Sequence, residues 1–315
     1  MSRATTTIAW PRIGLGCAAL TEPGANGERV ARAVIERAWQ RGIRLFDTAP
    51  LYGGGLAEER LGAALRGLPR GNYVLCTKTG VTRPYAQGPI PPGSTQRRAA
   101  DVWDYGPQAT RASVERSLER LHTAYLDLVH LHDVDGRESE CLRAYECLRA
   151  MRADGCVRGI GVGSNGVAAA ALLLEQVTLD ALLIAGRYTL LDQSAGALFA
   201  RAAAAGVRVL AGGVLNSGVL AHGITPGATF DYAPLVPAMA ERVRELQALC
   251  ARHEVPLAAA ALRFVLDQPR VSSILLGPRD VRELDELLDM AESPVQEAFW
   301  RELQALGVSL VQESP

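Results

Sequence analysis

No apolar run in the 315-residue chain reaches the roughly 18 residues of a membrane-spanning helix. Nor is there an excess of charge: the formal net charge is −1, so no basic surface is offered to nucleic acid or anionic lipid. The six cysteines, Cys17, Cys76, Cys141, Cys147, Cys156 and Cys250, include no C-x-x-C pair. That spacing fits reduced thiols better than a disulfide framework or a zinc site, and no other metal-ligand spacing is present. The opening stretch, MSRATTTIAWPRIG, lacks the continuous apolar core of a signal peptide, so a cytoplasmic protein is expected. What is present is ordinary for a globular enzyme. Hydrophobic residues make up 48% and charged residues 21%, in a chain long enough to bury a large core.

Short apolar runs alternate with helical patterns along the whole chain. Eight runs predict strands: Ile13–Gly16, Ile43–Asp47, Tyr73–Lys78, Leu126–His132, Gly159–Val162, Ala181–Ile184, Val207–Ala211 and Ser272–Leu276. They are rich in Val, Leu and Ile without clean alternation, as expected of parallel strands covered on both faces. Between them apolar residues recur at helical spacing, as in Val30, Ala31, Val34, Ile35 and Ala38, with Gly42 closing that helix. Further stripes are Val114, Leu118 and Leu121; Leu142, Tyr145 and Leu148; and Met239, Val243, Leu246 and Cys250. Strand followed by helix, eight times over, gives a closed barrel or a doubly wound sheet, and the count of eight favours the barrel. The expected fold class is therefore α/β, a single (β/α)8 TIM barrel spanning residues 1–315 as one domain. Two Gly- and Pro-rich stretches, residues 81–108 and 212–234, follow candidate strands. In a barrel they would lie over the carboxyl ends of the strands, where active sites are built.

Four polar residues stand at or just beyond the ends of consecutive strands: Asp47, Tyr52, Lys78 and His132. A charge at the end of an apolar strand needs a partner, and Asp47 and Lys78, on neighbouring strands, can supply one another. A free tyrosine titrates near pH 10 and carries protons poorly at neutrality. An ammonium about 4 Å away stabilises the phenolate by up to about 4 kcal/mol at an effective dielectric of 20. Such an ammonium lowers the phenol pKa by about 3 before burial opposes it. Tyr52 is thus expected to be an acid/base near neutrality, tuned by Lys78, with Asp47 holding Lys78 and His132 orienting a substrate oxygen. No nucleophile with an obvious base belongs to this set, so the missing electron acceptor must be a cofactor.

These residues sit in GLGCAAL, FDTAPLYGGGLAEERLG, VLCTKTG, SVERSLERLHTAYLDLVHLHD, GIGVGSN and ILLGPRD, which in order and spacing resemble the aldo-keto reductases over nearly the whole chain. The resemblance implies a (β/α)8 barrel, a catalytic tetrad at Asp47, Tyr52, Lys78 and His132, and a nicotinamide cofactor, NADP or NAD, bound without a Rossmann fold. It also implies, motif by motif, contacts to that cofactor. Gly16, Cys17 and Asp47 are among them, and Ser164 and Asn165 hold its carboxamide. Gly213, Leu215, Asn216, Ser217, Gly218 and Leu220 wrap the pyrophosphate, and Gly277, Arg279 and Glu286 meet the adenosine. Arg279 can grip a 2′-phosphate bidentately, whereas Asp280 beside it opposes one. The family's usual Gln before the strand-six Tyr is Ala185 here, and its Asn after the adenine-side Glu is Leu287.

LIAGRYTLLDQ, AGGVLNSGVLA and TFDYAP further resemble the branch of L-fucose, L-galactose and D-threo-aldose 1-dehydrogenases and pyridoxal 4-dehydrogenase, whose substrates are hemiacetals. This implies a small-molecule partner, an aldose or another carbonyl or lactol, with no nucleic acid and no membrane. Two other functions compete: a reductase of aldehydes or ketones, and, from a different class, a cofactor-binding sensor or accessory subunit on the same barrel. The complete tetrad disfavours the sensor.

Other residues read more plainly. His130 shares a strand face with His132 and reads as a core residue. Glu58, Glu59 and Arg60 read as a solvated helix face, and His122 and His253 as surface residues near helix ends. Trp103 and Tyr105, in the first long loop, are candidates to line the substrate pocket. Trp300 lines a pocket or packs a loop.

Overall fold

The computed structural model describes residues 10–82, 101–231 and 233–308. Eight strands, β1 (Ile13–Gly16), β2 (Leu45–Asp47), β3 (Val74–Thr79), β4 (Leu128–His132), β5 (Ile160–Ser164), β6 (Ala181–Ala185), β7 (Arg208–Gly212) and β8 (Ser273–Leu276), pair in parallel and close into a barrel. β8 closes on β1 through Ile13 opposite Ile274. Each lies on one of the eight expected runs, β1 with the same bounds and the others with one or both ends shifted by one or two residues. Leu126, for example, makes only an isolated bridge to Val157 before β4 begins.

Helices cover the outside. They are α1 (Gly24–Gln40), α2 (Leu56–Leu65), α3 (Pro107–Arg120), α4 (Glu138–Ala153), α5 (Val167–Gln176), α6 (Gly196–Ala204), the single turn α7 (Val219–His222), α8 (Pro237–Arg252), α9 (Leu257–Leu266), α10 (Val281–Glu292) and α11 (Glu297–Ala305). The inner face of α1 is Gly27, Ala31, Val34, Ile35 and Ala38. Gly42, at φ 85°, closes it and turns the chain into β2. On α4 the buried stripe includes Cys141 where the pattern suggested Leu142, a rotation of one residue.

Two apolar layers result. The larger lies between barrel and helices; the smaller fills the barrel with Leu45, Val74, Cys76, Leu128, Ala181, Leu183, Leu210 and Leu275. Trp10 packs against the inner layer at the amino-terminal ends of the strands and donates to Ser273 Oγ at 2.7 Å, plugging that end. The opposite end is left for function.

Both long loops start as expected at carboxyl ends of strands. After β3, Val81–Thr82 pairs antiparallel with Val102–Trp103, while residues 83–100 lie outside the described residues. After β7 comes a tight turn, Asn216–Gly218, then α7, then a ribbon of Thr229–Phe230 with Ala233–Pro234; Tyr232 lies outside the described residues.

One reading is overturned. Glu58 and Arg60 do not form a solvated face: Glu58 has 0% exposure and Arg60 7%. Glu58 accepts from Thr77 Oγ1 at 2.6 Å and from Arg120 Nε at 2.8 Å, while Arg60 donates to the carbonyls of Leu20 and Glu22. Both charges have buried polar partners, which is the condition for burying them. Glu59 alone of the three is exposed.

Candidate active site

Asp47 ends β2 and Lys78 stands next to the end of β3, both buried at the mouth of the barrel. Lys78 Nζ donates to Asp47 Oδ2 at 2.6 Å and to the Thr48 carbonyl at 2.9 Å. An ammonium has three donors and no acceptor, so one donor is left over on the side of Tyr52. Tyr52 enters from the turn Tyr52–Gly55, whose Gly53, Gly54 and Gly55 all have positive φ, a conformation side chains disfavour. Its ring centre is 4.9 Å from Lys78 Nζ and 6.0 Å, edge to face, from the ring of His132.

His132 ends β4 with 5% exposure, and its Nδ1 has no hydrogen-bond partner. Burial, and then the Lys78 charge, hold its pKa well below the usual imidazole range, so the ring is neutral. Burial alone would depress Lys78, but the Asp47 charge, with Tyr52, more than offsets it and keeps the ammonium charged.

The expectation that Tyr52 titrates near neutrality is corrected. Burial, with smaller opposing help from Lys78, pushes the phenol up to about 12. The ammonium already serves Asp47 and Thr48, so its attraction does not overcome the loss of water around the phenolate. Tyr52 rests as a neutral acid.

Beside Tyr52 opens a cleft of about 360 Å³. Of the positions named from sequence, Gly16, Asp47, Tyr52, Gly213, Leu215, Asn216, Ser217, Gly218, Gly277 and Arg279 line it. It runs from the tetrad, past the turn after β7, to the start of α10.

Other named positions fall elsewhere. Cys17 has 0% exposure, and its backbone N–H donates to the Asp47 carbonyl at 2.8 Å. Leu220 has 0% exposure and packs in the core. Ser164 Oγ donates to Asp135 Oδ2 at 2.6 Å and accepts from the Gly166 N–H at 3.0 Å, while the Asn165 carbonyl accepts from Arg187 Nε at 3.1 Å. Glu286 faces outward and pairs with Arg282 at 3.5 Å. The carboxylate in the cleft wall is Glu283, one helical turn earlier. Its signal was legible: D-x-x-E at 280–283 is a capping-box pattern, which fixes Glu283 in the first turn of α10.

Trp103, like Tyr52, packs against the cluster of Ala49, Leu51 and Val81, and Arg137 stacks over its ring at 5.0 Å. Tyr105 is a correction. It is not among the residues that line the cleft; buried, its hydroxyl donates to the His132 carbonyl at 2.5 Å and its ring fills the space beside Gly80. It braces the end of β4 from behind.

The cleft suits a large polar group. Asn216 is buried in its wall at φ 44°, with Oδ1 unpartnered, and Asp47 Oδ1 is likewise unpartnered. Small residues at 16, 18, 19, 212, 213, 217, 218 and 277 let a ligand approach the backbone closely. These features fit a nicotinamide dinucleotide. Among the described residues no group of three or more His, Cys, Asp and Glu could hold a metal ion, and no helix is long and apolar enough to cross a membrane.

A closed parallel barrel with a tyrosine beside a buried lysine–aspartate pair at its carboxyl mouth, next to a small-residue cleft, defines a barrel oxidoreductase. The chain belongs to the aldo/keto reductase family, whose sequence profile matches residues 12–307. It is 35% identical to D-threo-aldose 1-dehydrogenase of a Pseudomonas species, over 95% of each chain. It is 34% identical to pyridoxal 4-dehydrogenase of Microbacterium luteolum, over 94% of each. In fold it is similar to an aldo-keto reductase of Bacillus halodurans, with TM-score 0.75 and 23% identity over 96% of this chain and 94% of that one.

Proposed function

We propose that the protein oxidises the anomeric carbon of an aldose in its cyclic hemiacetal form to a lactone, with NAD or NADP as co-substrate, in one barrel that houses both sites. The observation that carries this reading is Tyr52 at the edge of the cleft, its ring centre 4.9 Å from the Lys78 ammonium that Asp47 holds. The likeness to an aldose 1-dehydrogenase supports the substrate class.

Tyr52 is the group that exchanges a proton with the reacting oxygen. In oxidation it takes the O1 proton as the C1–H bond breaks and C1=O forms; in reduction it returns that proton. Lys78 stabilises the phenolate side of the exchange, and Asp47 fixes Lys78. Neutral His132 can bond the same oxygen without competing for the proton. A nicotinamide, when bound, supplies the acceptor for the hydride that leaves C1. Gly213–Gly218 would hold its pyrophosphate, and Gly277 with Arg279 its adenosine end.

A second reading, reduction of aldehydes or ketones, is favoured by one fact: a phenol pushed up to about 12 is stocked with the proton that reduction needs. A panel decides between them. Aldoses, pyridoxal and simple carbonyls are offered with both cofactors in both directions, and nicotinamide absorbance is followed. Turnover of an aldose to its lactone is expected. Activity confined to simple carbonyls, with every aldose inert, overturns the aldose reading.

A further inference from the structure

Among the described residues that line the cleft, Arg279 is the only Lys or Arg. It would be the natural grip for a phosphate at the far end, but it is already held. Its Nε donates to Glu283 Oε2 at 3.1 Å, its Nη2 lies 3.5 Å from Glu283 Oε1, and its own backbone N–H donates to Oε2 at 2.8 Å. On the other side, Nη2 lies 3.5 Å from His222 Nε2. The amino end of α10 points the same way, and a free helix start attracts phosphate. Here Asp280 closes it, its Oδ1 accepting from the Glu283 N–H at 2.8 Å. One guanidinium thus faces two carboxylates before any ligand arrives.

We propose that Glu283, rather than Arg279, sets the cofactor preference, and that this end of the cleft selects a dinucleotide with a free ribose 2′-hydroxyl over one bearing a 2′-phosphate. A 2′-phosphate carries between one and two negative charges at neutral pH. To reach Arg279 it must displace Glu283 and then sit beside that carboxylate and Asp280, and like charges so placed repel strongly. A 2′-hydroxyl is a donor and Glu283 an acceptor, so the same residue welcomes the unphosphorylated ribose. Arg279 in this arrangement anchors the carboxylate. Its pKa is held above the usual guanidinium range, first by the hydrogen bond and then by the charge of Glu283. The inference rests on the reading of the cleft as the dinucleotide site.

The test is binding, independent of turnover. NADH and NADPH are titrated by fluorescence, and ADP-ribose and 2′-phospho-ADP-ribose by calorimetry, on wild type, Glu283→Gln and Arg279→Ala. Wild type is expected to bind each unphosphorylated ligand at least about tenfold tighter than its 2′-phosphorylated partner. Higher salt should narrow the gap by screening the repulsion. Glu283→Gln should close most of the gap by tightening the phosphorylated ligands, since the amide can still accept from the Arg279 N–H. Arg279→Ala should not reverse the order. Equal or tighter binding of the phosphorylated ligands to wild type overturns the inference, and that comparison stands even if a variant fails to fold. Binding of neither dinucleotide nor ADP-ribose would instead overturn the cofactor reading of the cleft, and the inference with it.

Discussion

Arg120 Nη2 stands 2.5 Å from Oε2 of Glu58, a carboxylate whose side chain has no exposure at all. The other oxygen of Glu58 takes the hydroxyl of Thr77, the residue before Lys78. Arg120 also lies against Gly55, the last residue of the turn that presents Tyr52, where a Cβ would come within 2.8 Å of Nε. α2, β3 and α3 are thereby tied together directly behind Tyr52 and Lys78.

That tie should matter to stability and to Tyr52 alike. Glu58→Ala leaves a largely buried guanidinium without its carboxylate, and removal of one partner from such a pair costs about 3 kcal/mol. Urea unfolding should show a loss on that order. Adding Arg120→Met should recover much of it, because the stranded charge goes too. Equal losses in the single and double variants would mean that the guanidinium left without its carboxylate carries no penalty of its own.

The same residues show where sequence reading stops. Eight strands and the gathering of Asp47, Tyr52, Lys78 and His132 at one end of the barrel were legible because they rest on periodicity and on polar residues at the ends of apolar runs, both local signals. Glu58 and Arg60 looked solvated because their partners, Thr77, Arg120, Leu20 and Glu22, are distant along the chain or on another element. Tyr105 looked like a pocket aromatic because its loop was rightly placed at the mouth, while the direction of its side chain is set by Gly80 and the His132 carbonyl. The Tyr52 acidity was misjudged in sign because the ammonium's other partners, Asp47 and Thr48, dilute its pull and burial opposes it.

Tyr52→Phe removes one oxygen and leaves Lys78 on Asp47 and Thr48, so folding and cofactor affinity should survive. The rate should fall by about 10²–10⁴-fold, the usual contribution of a positioned acid/base. Single-turnover rates, with cofactor binding measured separately, make the test. Near-wild-type turnover would move the proton to another group, His132 first.

Lys78→Met should displace the pH profile. Oxidation needs the phenolate, so its rate climbs as pH rises toward the phenol pKa, already up at about 12. Lys78 is the group that lowers that pKa by its charge. Its loss should shift the rising limb further to alkaline pH and depress the rate at neutrality. A profile that keeps its position while losing amplitude would show that Lys78 positions Tyr52 without tuning it.

His130 provides a pH test of the fold itself. It lies inside the barrel with no exposure, level with Lys78 on one side and Gly161 on the other. A Cβ at Gly161 would come within 2.6 Å of its Nδ1, so the glycine makes room for the ring. Burial first, and the Lys78 charge second, push its pKa down from 6.5 to about 3. In the unfolded chain the imidazole takes a proton near its ordinary pKa, while the folded protein refuses it until far more acid conditions. The stability that depends on a neutral His130 is therefore fully present above pH 6.5 and drains away as pH falls toward about 3. His132, also held down, adds to the same trend. His130→Leu puts an apolar group of similar size in the site and removes one proton-binding difference. At about pH 7 the variant should lie close to wild type, within about 1.5 kcal/mol. Between about pH 7 and pH 4.5 it should lose about 2–3 kcal/mol less than wild type, the linkage of one proton over about two pH units. Urea midpoints at the two pH values measure this, and buried or paired carboxylates contribute alike to both proteins. Parallel losses in wild type and variant would mean that His130 is protonated in the folded barrel, and that the field of Lys78 does not reach it.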